Sequence, residues 1–168
     1  MDQDLESTFL EGLEQNKQQM LRICSVYAND DEDRNDLFQE VLINVWKSMP
    51  SFKGASSLNT WIYRVTLNVC LRMHARDAKK RKIFRKMDSI ELSRYGGLDQ
   101  PREESEQLVH LRSCIKQLNE SDKGLITLYL EELPYKEIAE ITGLTENHVA
   151  VKIKRIKTKL LNCINARS

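Results

Sequence analysis

Glycine and proline are scarce, six and three residues in a chain of 168. So few backbone breakers, with little strand alternation, argue against a turn-rich β architecture. No apolar run approaches the roughly 20 residues that a membrane-spanning helix needs, so no membrane insertion is expected. The four cysteines, Cys24, Cys70, Cys114 and Cys163, form no CxxC pair and have no histidine at zinc-finger intervals. They read as buried or neutral thiols, and no metal is expected. No catalytic constellation of carboxylates, phosphate-binding loop or nucleophile–base pair stands out, so no catalytic residue and no cofactor is expected. The opening MDQDLESTFLEGLEQ is acidic where an export signal is basic and then apolar, which predicts a cytoplasmic protein.

What is present is 40% hydrophobic and 30% charged, the composition of a soluble protein with many exposed helix faces. The net charge of +1 conceals segregation: residues 30–40, DDEDRNDLFQE, hold six acids against Arg34 alone, while residues 72–86 hold eight bases against Asp77. Clusters rather than the total therefore decide what the chain meets.

Apolar periodicity predicts an all-α fold with helices near residues 5–28, 34–49, 57–80, 106–118, 121–132, 135–142 and 146–164. Between residues 83 and 105 the chain carries Gly96-Gly97, Pro101 and alternating charges without an apolar stripe, and reads as a flexible linker. The expected division is two small helical domains, 1–82 and 106–168, joined by that linker at 83–105.

In the rear segment, LPYKEIAEITGLTENHVAVKIKRIKTKL, a helix over 146–161 places Val149, Ile153, Ile156 and Leu160 on one narrow stripe. Asn147, Val151, Lys154 and Thr158 fall opposite, flanked by Ala150 and Lys157 on one side and Lys152 and Arg155 on the other. Tyr135, Ile138 and Ala139 supply the inner face of a shorter helix; Gly143 permits the reversal and Thr145 is a suitable N-cap. This is a helix-turn-helix pattern, although a hairpin with a solvated basic face reads alike. Lysine and arginine supply phosphate attraction, Asn147 can pair with a base edge, and Ala150 or Val151 can meet a thymine methyl. His148 can donate to a phosphate or simply face water.

In the front segment, Leu37, Phe38, Val41, Leu42, Val45, Trp46 and Met49 share a wide apolar face that reads as core. Asp36, Gln39, Glu40, Ile43 and Lys47 lie opposite. That patch suits a basic protein surface, and a solvated face with one stray isoleucine accounts for it equally. A loop with Phe52 and Lys53 then leads to a helix bearing Trp61, Tyr63, Arg64, Asn68 and Arg72. Aromatics, an amide and cations together suit unstacked single-stranded bases, while aromatics at helical spacing also suit a core.

DLFQEVLINVWKSMPSFKGASSLNTWIYRVTLN resembles the second conserved region of bacterial sigma-70 family factors, and LPYKEIAEITGLTENHVAVKIKRIKTKL resembles their fourth. With no recognisable domain between them, the chain is similar to the extracytoplasmic-function (ECF) group. The resemblance implies a non-enzymatic sigma factor that binds core RNA polymerase at its clamp helices and flap region, recognises the −10 and −35 promoter elements as single-stranded and duplex DNA, and promotes melting. It also suggests control by an anti-sigma factor. By position, it makes Asp36, Gln39, Glu40 and Ile43 the polymerase-docking set. It makes Phe52, Lys53, Asn59, Thr60, Trp61, Arg64, Asn68 and Arg72 the −10 set, with the loop from Phe52 to Thr60 capturing a flipped base, Asn68 in its pocket and Trp61 as anchor. The −35 set becomes Thr145, Asn147, His148, Ala150, Val151, Lys152, Lys154, Arg155 and Lys157. Ala150 and Val151 stand where the family often has an arginine, so readout here leans on Asn147, Lys154 and Lys157. The competing reading is a helix-turn-helix regulator with a sensing or dimerising front domain.

Overall fold

Helix starts and stops follow local capping chemistry. The computed structural model describes the backbone of residues 2–84 and 105–166, and the side chains of residues 3–75 and 105–166. Within them lie α1 (Asp2–Tyr27), α2 (Asp31–Ser48), a 3-10 turn (Met49–Ser51), α3 (Leu58–Phe84), α4 (Glu106–Lys116), α5 (Glu120–Leu130), α6 (Tyr135–Thr142) and α7 (Glu146–Asn165). The class is all-α, as the periodicity predicts. Among the described residues no helix is long and apolar enough to cross a membrane. Most of the expected linker, residues 85–104, lies outside the described residues, as do the side chains of most of the basic run at 72–86.

α2 begins three residues earlier than its apolar period suggests. The Asp30 carboxylate accepts from the Asp33 backbone N–H at 2.7 Å, and Asp33 in turn accepts from the Asn29 N–H at 2.9 Å. Two orphan donors are thereby satisfied, and Asp31, Glu32 and Asp33 sit at the positive end of the helix dipole. Part of the acidic cluster is thus accounted for by helix initiation.

α1, α2 and α3 pack around Met20, Ile23 and Cys24 from α1, Leu37, Val41 and Val45 from α2, and Ile62, Val69 and Cys70 from α3. Two expectations need correction. Trp46 is 46% exposed, with its ring edge-to-face on Phe9 at 5.2 Å, because it lies at the rim of the α1–α2 contact. Tyr63 is buried instead of being offered for stacking, because α3 packs against α1, α2 and α6 and buries more than one face.

α5 is the pivot of the packing. Every residue from Asp122 to Leu128 is buried, which marks a helix enclosed on all sides. Its two buried charges are paired: Lys159 Nζ lies 3.2 Å from Asp122 Oδ2, and Lys123 Nζ lies 3.2 Å from Glu120 Oε1. On the front side, Gly124 lets α5 approach closely, since a Cβ there would lie 2.9 Å from Leu67 Cδ1 and 3.1 Å from the Tyr27 hydroxyl. The two groups of helices therefore share one buried core.

Polar links reinforce the seam. Tyr27 donates to the Glu120 carbonyl at 2.8 Å, Lys116 to the Ala28 carbonyl at 3.3 Å, and Arg64 to the Glu140 carbonyl. His74 Nε2 stands 3.2 Å from Glu120 Oε1.

The reading of all four cysteines as thiols is also corrected. Cys24 and Cys70 are free and buried, whereas Cys114 and Cys163 form a disulfide between α4 and α7. A sequence separation of 49 residues hides that pairing until the helices are packed.

Candidate functional site

The rear face is built by two helices and a tight turn. α6 ends at Gly143, whose φ of 78° is left-handed and whose N–H returns to the Ala139 carbonyl. Glycine takes that conformation without the steric cost of a Cβ. Thr145 then caps α7, its hydroxyl accepting from the His148 N–H at 3.1 Å. Val149, Ile153, Ile156 and Leu160 are buried, each contributing roughly 1.5–3 kcal/mol. That stripe outweighs the cap, worth about 1 kcal/mol, and fixes which side of α7 faces out.

Outward lie Asn147, His148, Val151, Lys154, Arg155 and Lys157, all exposed, with Ala150 and Lys152 at the margins. The Lys157 ammonium sits 4.3 Å from the centroid of the Tyr129 ring. Tyr129 therefore steers one cation of the outer face of α7, a role that the sequence pattern did not indicate because Tyr129 belongs to α5.

On the front, Asp36, Gln39 and Ile43 are exposed along one side of α2, and Glu40 is half-buried beside them. Asn44 donates to the Glu40 carbonyl at 2.7 Å and accepts from Arg72 at 3.1 Å. Arg72 of the expected base-contact set is thus tied to the expected docking set through Asn44, a residue absent from either.

The loop after α2 brings the Phe52 ring to 5.3 Å from Trp61. Lys53 and Asn59 are exposed, and Asn59 Oδ1 accepts from the buried Asn16 amide at 2.8 Å. Ser57 is the local organiser. It accepts from the Thr60 N–H at 3.1 Å and donates to the Thr60 hydroxyl at 2.9 Å. Thr60 is buried, so it holds the start of α3 and is not presented to solvent. Ser57, immediately ahead of α3, is of a residue type that favours the N-cap position.

Asn68 is exposed one turn beyond Arg64. Arg64 itself is half-buried and donates to the Glu140 carbonyl, so the first helix of the helix-turn-helix lies against this member of the expected base-contact set. The structure therefore gathers Phe52, Lys53, Asn59 and Trp61 at one end of α3, places Arg64 under α6, and leaves Asn68 and Arg72 further along.

Residues 13–81 match the family model Sigma-70 region 2, and residues 108–160 match Sigma-70, region 4. The chain is 28% identical over 138 residues to RNA polymerase sigma factor YlaC of Bacillus subtilis (strain 168), covering 77% of this chain and 76% of that one. It is 30% identical over 142 residues to the ECF RNA polymerase sigma-E factor of Escherichia coli (strain K12), covering 77% and 73%. Its fold is similar to that of the sigma factor RpoE solved in complex with the anti-sigma factor NepR from Bartonella quintana. There the TM-score is 0.68 at 16% identity, over 96% of this chain and 97% of that one. With both sigma regions present in order on an all-α frame, the chain belongs to the ECF group of sigma-70 family RNA polymerase sigma factors, which act in transcription initiation through RNA polymerase.

Proposed function

We propose that this sigma factor docks on the polymerase clamp helices through Asp36, Gln39, Glu40 and Ile43, reads the −35 element as duplex with the outer face of α7, and captures unstacked −10 bases with the Phe52–Thr60 loop, Trp61, Arg64, Asn68 and Arg72. The observation that carries this reading is α7: a fully buried apolar stripe behind an exposed face of Asn147, Val151, Lys154 and Arg155. Such a helix fits a major groove, with cations for phosphates and short side chains for base edges.

Melting loses about 1.4 kcal/mol of stacking per step, more than any single contact returns. Division of labour answers this: the rear half holds duplex while the front loop traps bases that have left the stack. The chain adds no catalytic step of its own and works beside the polymerase in the cytoplasm.

Arg64 lies against α6 in the closed arrangement, so the halves must part before both DNA faces act. Docking on core polymerase supplies that separation. The anti-sigma complex of the similar Bartonella fold supports a protein of that kind as a further partner, one that keeps the halves closed.

In vitro transcription with core enzyme and a genomic promoter library, together with footprinting, tests the reading. Promoter-specific initiation is expected only from the complex. Equal affinity and selectivity for promoters by the chain alone would sink it in favour of an independent helix-turn-helix regulator.

A further inference from the structure

Cys114 lies in the last turn of α4 and Cys163 in the last turn of α7, with their Cα atoms 5.9 Å apart and their sulfurs joined. Cys114 is buried and Cys163 half-buried, so Cys163 is the more accessible of the two cysteines. The covalent ring closed by this bond contains all of α5, all of α6 and α7 as far as Cys163. The whole helix-turn-helix, with its reading face, is inside it.

We propose that Cys114 and Cys163 form a reversible redox site, oxidised by low-molecular-weight disulfides and reduced by dithiols, that sets how firmly the DNA-reading half holds together. This rests on the proposed function in one respect: a chain acting beside RNA polymerase works where thiols are kept reduced and standing disulfides are rare.

The oxidation balances without any further reagent. The Cys163 thiolate attacks one sulfur of the small disulfide, forming a mixed disulfide and releasing one small thiolate, which takes up a proton. The Cys114 thiolate then attacks Cys163 Sγ and expels the second small thiol. Two protein thiols and one small disulfide become one protein disulfide and two small thiols. Reduction runs through the same accessible sulfur: a dithiol attacks Cys163, Cys114 leaves and is protonated, and the second sulfur of the dithiol releases Cys163.

Placement favours a slow, persistent bond over a rapid peroxide trap. Each cysteine sits in the last turn of its helix, and burial of Cys114 keeps solutes from that side of the bond. The ammonium of Lys159, one turn before Cys163, is paired with Asp122 at 3.2 Å. Thiols of this kind are poor leaving groups, so the bond lasts until a dithiol opens it.

The other cysteine pair supplies the contrast. The sulfurs of Cys24 and Cys70 are 3.9 Å apart, and both residues are buried between α1 and α3. No solute reaches them, and they stay thiols.

The test equilibrates the full chain in buffers of graded reduced and oxidised glutathione, then counts thiols after acid quench, denaturation and maleimide tagging. Four tags are expected in reduced buffer and two in oxidised buffer, with peptide mapping placing the bond at Cys114–Cys163; Cys163→Ser is expected to give three throughout. Hydrogen exchange then reads the consequence: α4 and α7 amides exchange roughly 100-fold more slowly in the oxidised form, while the α1–α3 core changes little. Four tags in every buffer, a bond that native dithiothreitol fails to open, a bond mapped to Cys24–Cys70, or equal exchange in both states would each overturn the proposal. None of these readouts uses promoter or polymerase, so failure here is separate from failure of the proposed function.

Discussion

Arg22 and Glu131 lie 109 residues apart in sequence and meet as a fork-to-fork ion pair, Nε 2.5 Å from Oε1 and a terminal nitrogen 2.7 Å from Oε2. Arg22 is on α1 and Glu131 caps the C-terminal end of α5, so the pair ties the front helices to the rear ones. The bond to Glu131 raises the Arg22 pKa above the ordinary guanidinium value. Because the Arg22 side chain is 56% exposed, solvent keeps the pair weak. Arg22→Ala is expected to cost about 1 kcal/mol by urea titration and to enlarge the radius of gyration in small-angle scattering. An unchanged scattering profile would show that this latch does not hold the halves.

Tyr27 gives the seam a pH dependence. Burial, with Cys70 and Glu120 adding to it, lifts the phenol well above its usual 10.0. The unfolded chain loses that proton near pH 10 while the folded chain keeps it, so above pH 10 the unfolded state binds fewer protons. Stability contributed by Tyr27 is therefore full below pH 10 and declines as pH rises beyond it. Tyr27→Phe should flatten part of the alkaline decline and cost about 1 kcal/mol at neutral pH through the lost bond to the Glu120 carbonyl. The decline should persist in part, since Tyr63 and Cys70 are shifted in the same direction. Identical alkaline melting curves for the two proteins would refute the assignment.

Gly143→Ala should destabilise the rear half by about 1–2 kcal/mol, because φ is 78° and no atom lies within 4 Å of an added Cβ. The cost is conformational alone, so Gly143→Asn, which tolerates the left-handed region, should cost less. Equal melting temperatures for the alanine and asparagine variants would argue against backbone strain as the cause.

The reading helices were legible because their signals are local. The period over Val149, Ile153, Ile156 and Leu160, with Gly143 and Thr145 ahead of it, places α6 and α7 almost to the residue. Partnership between helices was not legible. The stretch from Asp122 to Leu128 is enclosed by neighbours from both halves, and periodicity cannot say which neighbours those are. Tyr63 reads as a stacking ring until α3 is seen packed against three helices, and Thr60 reads as a base contact until Ser57 is seen to hold it. The Cys114–Cys163 bond belongs to the same class, set by packing across 49 residues.

Ile43→Asp is expected to weaken binding to core polymerase about tenfold or more while leaving the melting curve unchanged, since Ile43 is 46% exposed in the free chain and a carboxylate there would be buried unpaired on docking. Competition for core against a labelled sigma factor measures this. Undiminished competition would remove Ile43 from the docking face.

Asn68→Ala should reduce open-complex formation with core binding intact, because Asn68 is exposed on α3 and its side chain has no structural duty among the described hydrogen bonds. Permanganate footprinting of the opened bases reads the effect. Undiminished reactivity would exclude Asn68 from the base pocket.

The close seat of Gly124 against Leu67 and Tyr27 has a consequence for timing. On the proposed function, parting the halves would wet the side of α5 that Leu67 and Tyr27 cover here, so an opened chain would be short-lived until another surface replaced the lost one. On that same reading, a partner that controls this chain would act on the lifetime of an open form, and polymerase would be met before promoter.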